Sequence, residues 1–471
     1  MRSALLLTLL GAVACAPLDG TAASSAPPAP VTSPGEPGRG IGDPDFPLDG
    51  NGGYDVTRYH LKIDYDPAAK RLNGLASIQA KATQPLPRFN LDLAGFQVSE
   101  VTVDGARATV ARSGDELTVT PAQQLREGRA FTVTVAYAGR PRPVTGSTNL
   151  GTYGFVPTDD GAFVACQPNG AKTWFPANDH PADKARFDFE LTVPQGLTAL
   201  ANGEQTGQPV TRAGKTTFTW SEKHPMATYL ATMTLGRFEL RQGTTAKGIP
   251  NLAAADPKFA STLDSLYTTS GEVTDYWSTV FGPYPFSSTG GVVDDFAAGY
   301  ALENQTKPMY GGFRPDESII AHELAHQWFG DSLSIKRWKD LWLNEGFATY
   351  AEWLWSEHKG RASAQSVFDG YYARPAGDAM WAYPPGRARP GDLFNESVYT
   401  RGGMTLHALR MSVGDDVFFR ILKEWADRHK YGHVTTPQFV ALAERLSGKD
   451  LDPLFNAWLF EARKPALSSL R

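Results

Sequence analysis

The segment His322-Glu-Leu-Ala-His326 carries residue types found in metal-dependent hydrolases. On a helix, His322 and His326 lie one turn apart on the same face, so both imidazoles can reach one ion. Glu323 lies beside that face, where it can address a metal-bound water rather than the metal. A catalytic zinc needs a third protein ligand and one open position. Glu345 follows His326 after eighteen intervening residues and can supply this ligand from a second helix.

Two histidines and one glutamate predict one Zn²⁺ per chain. Zinc bound this way can bring the pKa of its water to about 7, and Glu323 can take the proton during attack on a carbonyl. The same carboxylate can then protonate a leaving amine, so the pattern predicts amide hydrolysis. The alternative is a solvated helix face that carries His and Glu without a metal, and Glu345 argues against it.

Helical spacing of apolar residues surrounds this pattern. It predicts one helix over residues 316–329 and a second over residues 338–358. Further helices are predicted at 401–411, 415–429 and 436–446. We therefore expect residues 248–471 to form a mainly helical catalytic domain.

Short alternating runs fill residues 51–247. Tyr59, Leu61 and Ile63 alternate with charged or polar residues, which predicts a strand with one buried face. Turn residues separate similar runs, which lie at 117–120, 131–137, 187–193 and 216–220. The pattern predicts an N-terminal antiparallel β saddle or sandwich domain, and hence an α+β fold of more than one domain.

The first fifty residues read as leader and linker. Residues 1–15 have one cation, a short apolar run and small residues, as in a secretory signal peptide. Cys15 follows a segment that resembles a bacterial lipobox, so lipidation and membrane attachment of an exported protein are predicted, with plain secretion as the alternative. Residues 16–50 are rich in Pro, Ala, Gly and Ser, which predicts a disordered linker.

Composition excludes several classes of protein. The chain has 471 residues, with 45 Lys+Arg against 50 Asp+Glu and a net charge of −5. This balance argues against a nucleic-acid binder, which would show a concentrated basic face. Two cysteines exclude a disulfide scaffold and the cysteine-rich zinc modules. The chemistry must therefore come from the motifs.

The zinc pattern resembles that of the M1 family of zinc aminopeptidases, which belong to the gluzincins. Trp174–Pro181 resembles the family's turn segment in the N-terminal domain, and Ala301–Asn304 resembles its exopeptidase motif. The resemblance extends from Tyr54 to about Pro465 and implies that the catalytic domain is thermolysin-like. Many members carry a further helical C-terminal domain, and we expect this chain to be a short bacterial form without it.

The resemblance also implies roles for individual residues. Glu303 would bind the free α-amine of the substrate, with help from Gln167, and Ala301 would contribute to the same site. Tyr399 would donate a hydrogen bond to the oxyanion of the tetrahedral intermediate. The residues by themselves also allow Glu303 to be a surface carboxylate at the end of a strand.

The sequence thus predicts an exported zinc aminopeptidase, acting as a monomer on peptides with a free N-terminus and without a nucleic-acid partner. Tyr300 and Leu302 stand where the family usually has Gly and Met, so the width of the first substrate subsite is open. Alternatives are epoxide hydrolase or endopeptidase activity on the same scaffold. A non-catalytic surface binding module with a structural metal is a further alternative.

Overall fold

A computed structural model describes residues 38–146 and 148–467. The first half of these residues folds mainly into strands, as predicted. The strands are β1 Tyr54–Asp66, β2 Arg71–Ala82, β3 Phe89–Asp92, β4 Gln97–Val103, β5 Ala106–Arg107, β6 Thr109–Ser113, β7 Glu116–Thr120, β8 Ala130–Gly139, β9 Val144–Thr145, β10 Thr152–Pro157, β11 Ala162–Ala165, β12 Lys184–Pro194, β13 Thr198–Ala201, β14 Glu204–Gln205, β15 Val210–Arg212, β16 Lys215–Ala227 and β17 Met233–Gly236.

These strands form a long sheet and two smaller ones. The long sheet has the order β14-β16-β12-β1-β2-β8-β4-β5, with β15 also paired to β16. The smaller sheets have the orders β13-β17-β11-β10-β9 and β3-β7-β6. Within the long sheet β1 runs parallel to β12, whereas its other neighbour β2 is antiparallel. The alternation predicted for β1 is present, because Tyr59, Leu61 and Ile63 are buried while Arg58 and Lys62 are exposed.

The second half contains a mixed sheet and the helices. Its strands are β18 Glu239–Thr244, β19 Pro250–Ala255, β20 Thr289–Asp294, β21 Ala301–Leu302, β22 Met309–Gly311, β23 Ser334–Ile335 and β24 His433–Val434. The mixed sheet has the order β18-β19-β20-β22-β21. Because β18 pairs into this sheet, the second half begins at about Glu239 rather than at the predicted residue 248.

Helices lie in all five segments in which helical spacing was found, and further helices lie outside those segments. The helices are α1 Leu263–Val280, α2 Glu317–Ala325, α3 Trp342–His358, α4 Ala364–Tyr372, α5 Ala379–Ala382, α6 Glu396–Val413, α7 Asp415–Arg428, α8 Thr436–Ser447 and α9 Asp452–Phe455. Helix α2 ends four residues earlier than predicted, because the chain turns after His326 through Gly330, which has a φ of +134°. The predicted α+β architecture, a β domain followed by a mainly helical domain, is confirmed.

Residues 38–50 differ from the prediction of a disordered linker. Asp43, Phe46 and Asp49 are buried against the folded body, with exposed fractions of 2%, 9% and 9%. The backbone of this segment also closes on itself, since Ile41 N–H donates to the carbonyl of Asp49 at 3.1 Å. The linker prediction is therefore wrong for residues 38–50, because a few well-placed side chains anchor a segment of linker-like composition. The predicted signal peptide and Cys15 lie outside the described residues.

Buried side chains from both halves form one continuous apolar cluster that extends from Phe46 to Leu459. The halves thus share a core, and their junction is a packed interface. Among the described residues, the helices include none with the length and apolarity needed to cross a membrane.

Candidate active site

Helix α2 and the first turn of α3 bring the three predicted metal ligands together. Asp316 begins α2 by accepting hydrogen bonds from the N–H groups of Ser318 and Ile319, at 2.9 and 3.0 Å. Glu345 Oε2 lies 3.5 Å from Nε2 of His322 and 3.3 Å from Nε2 of His326. All three side chains are buried, so their polar atoms converge on one enclosed point.

The other nitrogen of each imidazole has an acceptor that fixes its tautomer. His322 Nδ1 lies 2.7 Å from Oε1 of Glu352, and His326 Nδ1 lies 3.0 Å from the carbonyl of Phe329. Because a carboxylate and a carbonyl only accept, both Nδ1 atoms donate, so the Nε2 atoms, which face Glu345, are the ones that can bind a metal ion. Glu352 was not identified from the sequence, although it follows Glu345 by seven residues, about two turns of the same helix.

The geometry of this donor set fits a zinc ion. Zinc bonds to nitrogen and oxygen of about 2.0–2.1 Å imply a tetrahedral edge of about 3.3–3.4 Å. The separations of 3.3 and 3.5 Å from Glu345 to the two imidazoles are close to that edge. One carboxylate and two imidazoles also leave a fourth position open, as catalytic zinc sites require.

Glu323 is buried beside the donor set. Its carboxylate, a ring nitrogen of His326 and the carboxylate of Glu303 lie within 4.8 Å of one another. Burial raises the pKa of Glu323 to about 8, against the opposing charges of His322 and His326. A carboxyl group with a pKa near neutrality can both accept and return a proton.

Tyr399 lies on α6, with its ring stacked on that of His322 at a centroid distance of 6.2 Å and an interplanar angle of 19°. Burial raises the pKa of Tyr399 well above its usual value, and the negative charges of Glu345 and Glu303 add to this shift. The hydroxyl therefore keeps its proton at neutral pH. A protonated phenol beside a metal site is a hydrogen-bond donor for a developing oxyanion.

Glu303 follows the edge strand β21 and is 2% exposed. Its Oε1 accepts hydrogen bonds from Gln167 Nε2 and Tyr229 Oη, each at 3.0 Å. Both donors come from the first half of the chain, so this carboxylate lies at the junction of the halves. Burial raises the pKa of Tyr229 well above its usual value, with Glu303 as the next cause, so its hydroxyl remains a donor.

Tyr229 was not identified from the sequence. It is 1% exposed and lies in a short turn after β16, where the sequence alone suggests an ordinary core tyrosine. Only the contact with Glu303, 74 positions further along the chain, reveals its place in the site.

The residues that depart from the family pattern lie next to Glu303. Leu302 is buried at 1% exposure, in the place that a methionine would fill. The hydroxyl of Tyr300 donates to the carbonyl of Thr152 at 2.8 Å, and its ring centroid is 6.3 Å from that of Phe163. Ala301 is half-buried and pairs with Tyr310. Tyr300 is thus held against the first half of the chain.

Comparison with known proteins identifies two domains. Residues 55–230 match the Peptidase M1 N-terminal domain, and residues 311–458 match the Peptidase family M1 domain. Aminopeptidase N of Lactococcus lactis subsp. lactis is 28% identical over 332 residues, 64% of this chain and 38% of that protein. Probable aminopeptidase 1 of Saccharolobus solfataricus is 24% identical over 88% of this chain and 54% of that protein. The chain therefore spans about a third to a half of the curated relatives it matches.

Solved structures match over nearly the whole chain. The M1 zinc metallopeptidase from Deinococcus radiodurans superposes with a TM-score of 0.81 and 30% sequence identity, covering 91% of this chain and 98% of that one. A mutant of that protein was solved with a Tyr-Ser-Ala substrate, and it matches with the same TM-score and 29% identity. With both domain matches and this structural relative, the chain belongs to the M1 family of zinc metallopeptidases.

Proposed function

We propose that this protein is an exported zinc aminopeptidase that removes N-terminal residues from peptides. The observation that carries the proposal is the buried carboxylate of Glu303, which lies within 4.8 Å of polar atoms of Glu323 and His326. A fixed carboxylate beside a metal site pairs with an ammonium group and therefore favours the free end of a chain. The relatives named aminopeptidase support the same activity.

His322, His326 and Glu345 would hold the zinc ion. When bound, the ion supplies Lewis acidity, which lowers the pKa of a water and polarises a carbonyl group. Glu323 takes the proton from the attacking water and later delivers it to the leaving amine. Tyr399 donates a hydrogen bond to the oxygen on which negative charge develops. Glu303, held by Gln167 and Tyr229, binds the α-ammonium group and fixes which peptide bond is attacked.

Export rests on the sequence of residues 1–15 alone. We include in the proposal cleavage before Cys15, lipidation of its thiol and attachment to a membrane, with the enzyme acting as a monomer. Mass spectrometry of the N-terminus of the protein recovered from its native cells tests this step. A chain that retains Met1 would contradict export, and a chain that begins beyond Cys15 would contradict lipidation.

The activity is tested with matched substrates that differ only at the amine. We expect turnover of a panel of aminoacyl p-nitroanilides and peptides by the zinc-loaded protein, and loss of turnover when the same compounds are N-acetylated. Equal cleavage of free and N-acetylated peptides would indicate an endopeptidase. Absence of turnover across the panel, with zinc bound, would instead favour a binding module with a structural metal.

A further inference from the structure

The segment of residues 38–50, called the strap below, lies across the junction of the two halves of the chain. Its buried side chains contact the first half at Asn169 and His180 and the second half at Trp338. Leu48, by contrast, is 62% exposed at the outer edge of the strap. Two series of contacts connect the buried side chains of the strap with the carboxylate of Glu303.

The first series begins at Asp49. Both carboxylate oxygens of Asp49 accept from Nδ2 of Asn169, at 2.9 and 3.0 Å. Asn169 lies two residues after Gln167 in a tight turn, closed by a 2.7 Å hydrogen bond from Gly170 N–H to the carbonyl of Cys166. Gln167 in turn donates to Oε1 of Glu303 at 3.0 Å. Asp49 therefore fixes the loop from which one donor reaches Glu303.

The second series begins at Asp43 and Phe46. Asp43 Oδ2 accepts from the backbone N–H of Trp338 at 2.9 Å, and the ring centroid of Phe46 lies 5.9 Å from that of Trp338. The Trp338 ring also packs against that of Tyr229, at a centroid distance of 5.7 Å. Tyr229 supplies the other hydrogen bond to Oε1 of Glu303. Each donor to Glu303 is thus connected to the strap through one intermediate, Gln167 through the turn that contains Asn169 and Tyr229 through Trp338.

We propose that residues 38–50 are a positioning element for the amine-binding carboxylate, and that Asp49 acts on substrate binding through Asn169, Gln167 and Glu303. The inference rests on the proposed aminopeptidase function. Among the described residues, the side-chain hydrogen bonds and ring contacts given above for the strap are with Asn169, His180 and Trp338 and not with the zinc ligands. The strap supports, through Asn169 and Trp338, the two donors that hold the Glu303 carboxylate. The position of this carboxylate sets the strength of its pairing with an ammonium group. Asp49 and Asp43 are positioning residues in this scheme, and neither contacts the substrate.

The test compares ligands with and without an amine in the full-length zinc protein. L-leucine hydroxamate offers both an α-amine and a metal-binding group, whereas acetohydroxamate offers only the latter. In Asp49→Ala we expect the Kd of L-leucine hydroxamate, measured by calorimetry, to rise about tenfold, as expected when a positioning hydrogen bond is lost. The Kd of acetohydroxamate and the zinc content should stay unchanged. For L-leucine p-nitroanilide, KM should rise more than kcat falls.

A double-mutant cycle separates positioning from general stability. In a Glu303→Ala background, Asp49→Ala should change the Kd of L-leucine hydroxamate by less than about twofold, because the group through which it acts is absent. Asp49→Asn keeps an acceptor oxygen for Asn169 and should restore most of the affinity. Additive effects in the cycle, or equal losses for the two hydroxamates, would overturn the proposal.

Two control variants complete the design. Leu48→Ala changes an exposed side chain of the strap and should leave both affinities unchanged. Val101→Ala opens a small cavity in the distant strand β4 and should lower the melting temperature without altering the ratio of the two affinities. The calorimetric measurement needs no turnover, so it decides the role of the strap even if the unmodified protein does not hydrolyse aminoacyl substrates. Such a lack of hydrolysis would overturn the proposed function separately.

Discussion

The carboxyl groups of three buried glutamates in one small site have different pKa values because their neighbours differ. For Glu345, burial acts to raise the pKa, but the charges of His326 and His322 and their hydrogen bonds outweigh it and hold the pKa at about 2. For Glu323, burial dominates and the pKa rises to about 8. The pKa of Glu303 is also raised, mainly by burial and further by the charge of Glu345. One residue type thus provides, within a few ångströms, one carboxyl group with a low pKa and one with a pKa near neutrality.

Glu323→Gln tests the proton transfer. We expect kcat to fall by about 10²–10⁴-fold, the usual contribution of a general acid–base group, because an amide cannot take the proton from water. Zinc content should remain near one per chain, since all three ligands are intact. Turnover of an aminoacyl p-nitroanilide and elemental analysis of the purified variant give the two readouts. A variant that turns over at nearly the rate of the unmodified protein would contradict this role.

Asp294, at the end of β20, lies outside the zinc donor set, and its buried carboxyl group should make the stability of the protein depend on pH. It is 4% exposed, and its Oδ2 has no hydrogen-bond partner among the described residues. Burial raises the pKa of this carboxyl to about 7, and the nearby Asp295 and Asp160 add to the shift against a hydrogen bond from Phe296. The folded state therefore binds this proton more tightly than the unfolded state does.

A raised carboxyl pKa gives stability at low pH that is lost as the pH rises from about 4 to about 7. Asn does not titrate, so Asp294→Asn should be close to the unmodified protein at pH 4. At pH 8 it should be more stable, by on the order of 2–4 kcal/mol. Urea unfolding midpoints at the two pH values measure the difference. Asp159→Asn, at an exposed position, is the control, and a difference that does not grow with pH would contradict the assignment.

At the scale of the elements, local periodicity predicted the helices that carry the zinc ligands. His322 and His326 lie four residues apart and therefore share one face of the helix, and Glu345 was identified by its distance along the chain from that motif. Tyr229 and the strap could not be found this way. Tyr229 and Glu303 lie 74 positions apart, and Asp49 and Asn169 lie 120 apart. Such contacts are created by tertiary packing, and no local pattern encodes them.

One face of helix α3 carries the candidate zinc ligand Glu345 and also Glu352, which is hydrogen-bonded to another candidate ligand, His322. Glu345 contributes its carboxylate to the candidate metal site, and Glu352, two turns later, accepts from Nδ1 of His322 at 2.7 Å. Glu352→Gln weakens the acceptor for that N–H group and removes a charge that makes the imidazole more basic. We expect zinc affinity to fall by about 10–100-fold, the range for comparable partners of metal-bound histidines.

Competition with a fluorescent zinc chelator measures this affinity. Glu357→Gln is the matched control, because Glu357 lies on the same helix but contacts Arg410 and Ala364 rather than a metal ligand. Its zinc affinity should equal that of the unmodified protein. If Glu352→Gln keeps the same affinity, the hydrogen bond to His322 contributes nothing to the metal site.

At the scale of the whole molecule, the site depends on the junction of the two halves. The zinc ligands, Glu323 and Tyr399 all belong to the second half, whereas the donors that hold Glu303 come from the first. In the proposed function, hydrolysis and the choice of a free N-terminus would therefore depend on different parts of the chain. The resemblance to a family predicted that Gln167 and Glu303 act on the same amine, and the packing at the junction brings the two side chains into contact.

Lys184, at the start of β12, makes a polar connection across this junction. Its Nζ donates to the carbonyls of Asp331 and Ser332 at 2.7 and 2.8 Å, in the turn that follows helix α2. Lys184→Met keeps the aliphatic volume but leaves these carbonyls without a donor. We expect the free energy of unfolding to fall by about 1–3 kcal/mol, the cost of unpaired polar groups at a buried interface.

Denaturant unfolding of the zinc-loaded protein measures this loss. Lys215→Met is the matched control, because Lys215 lies on the same sheet with its side chain 45% exposed and paired to Asp64. Exposed pairs of this kind contribute about 0–1 kcal/mol, so the control should change little. Because the two halves share one core, the transition of Lys184→Met should remain single. Equal losses in the two variants, or a transition that splits in two, would contradict the view that Lys184 stabilises a cooperative junction.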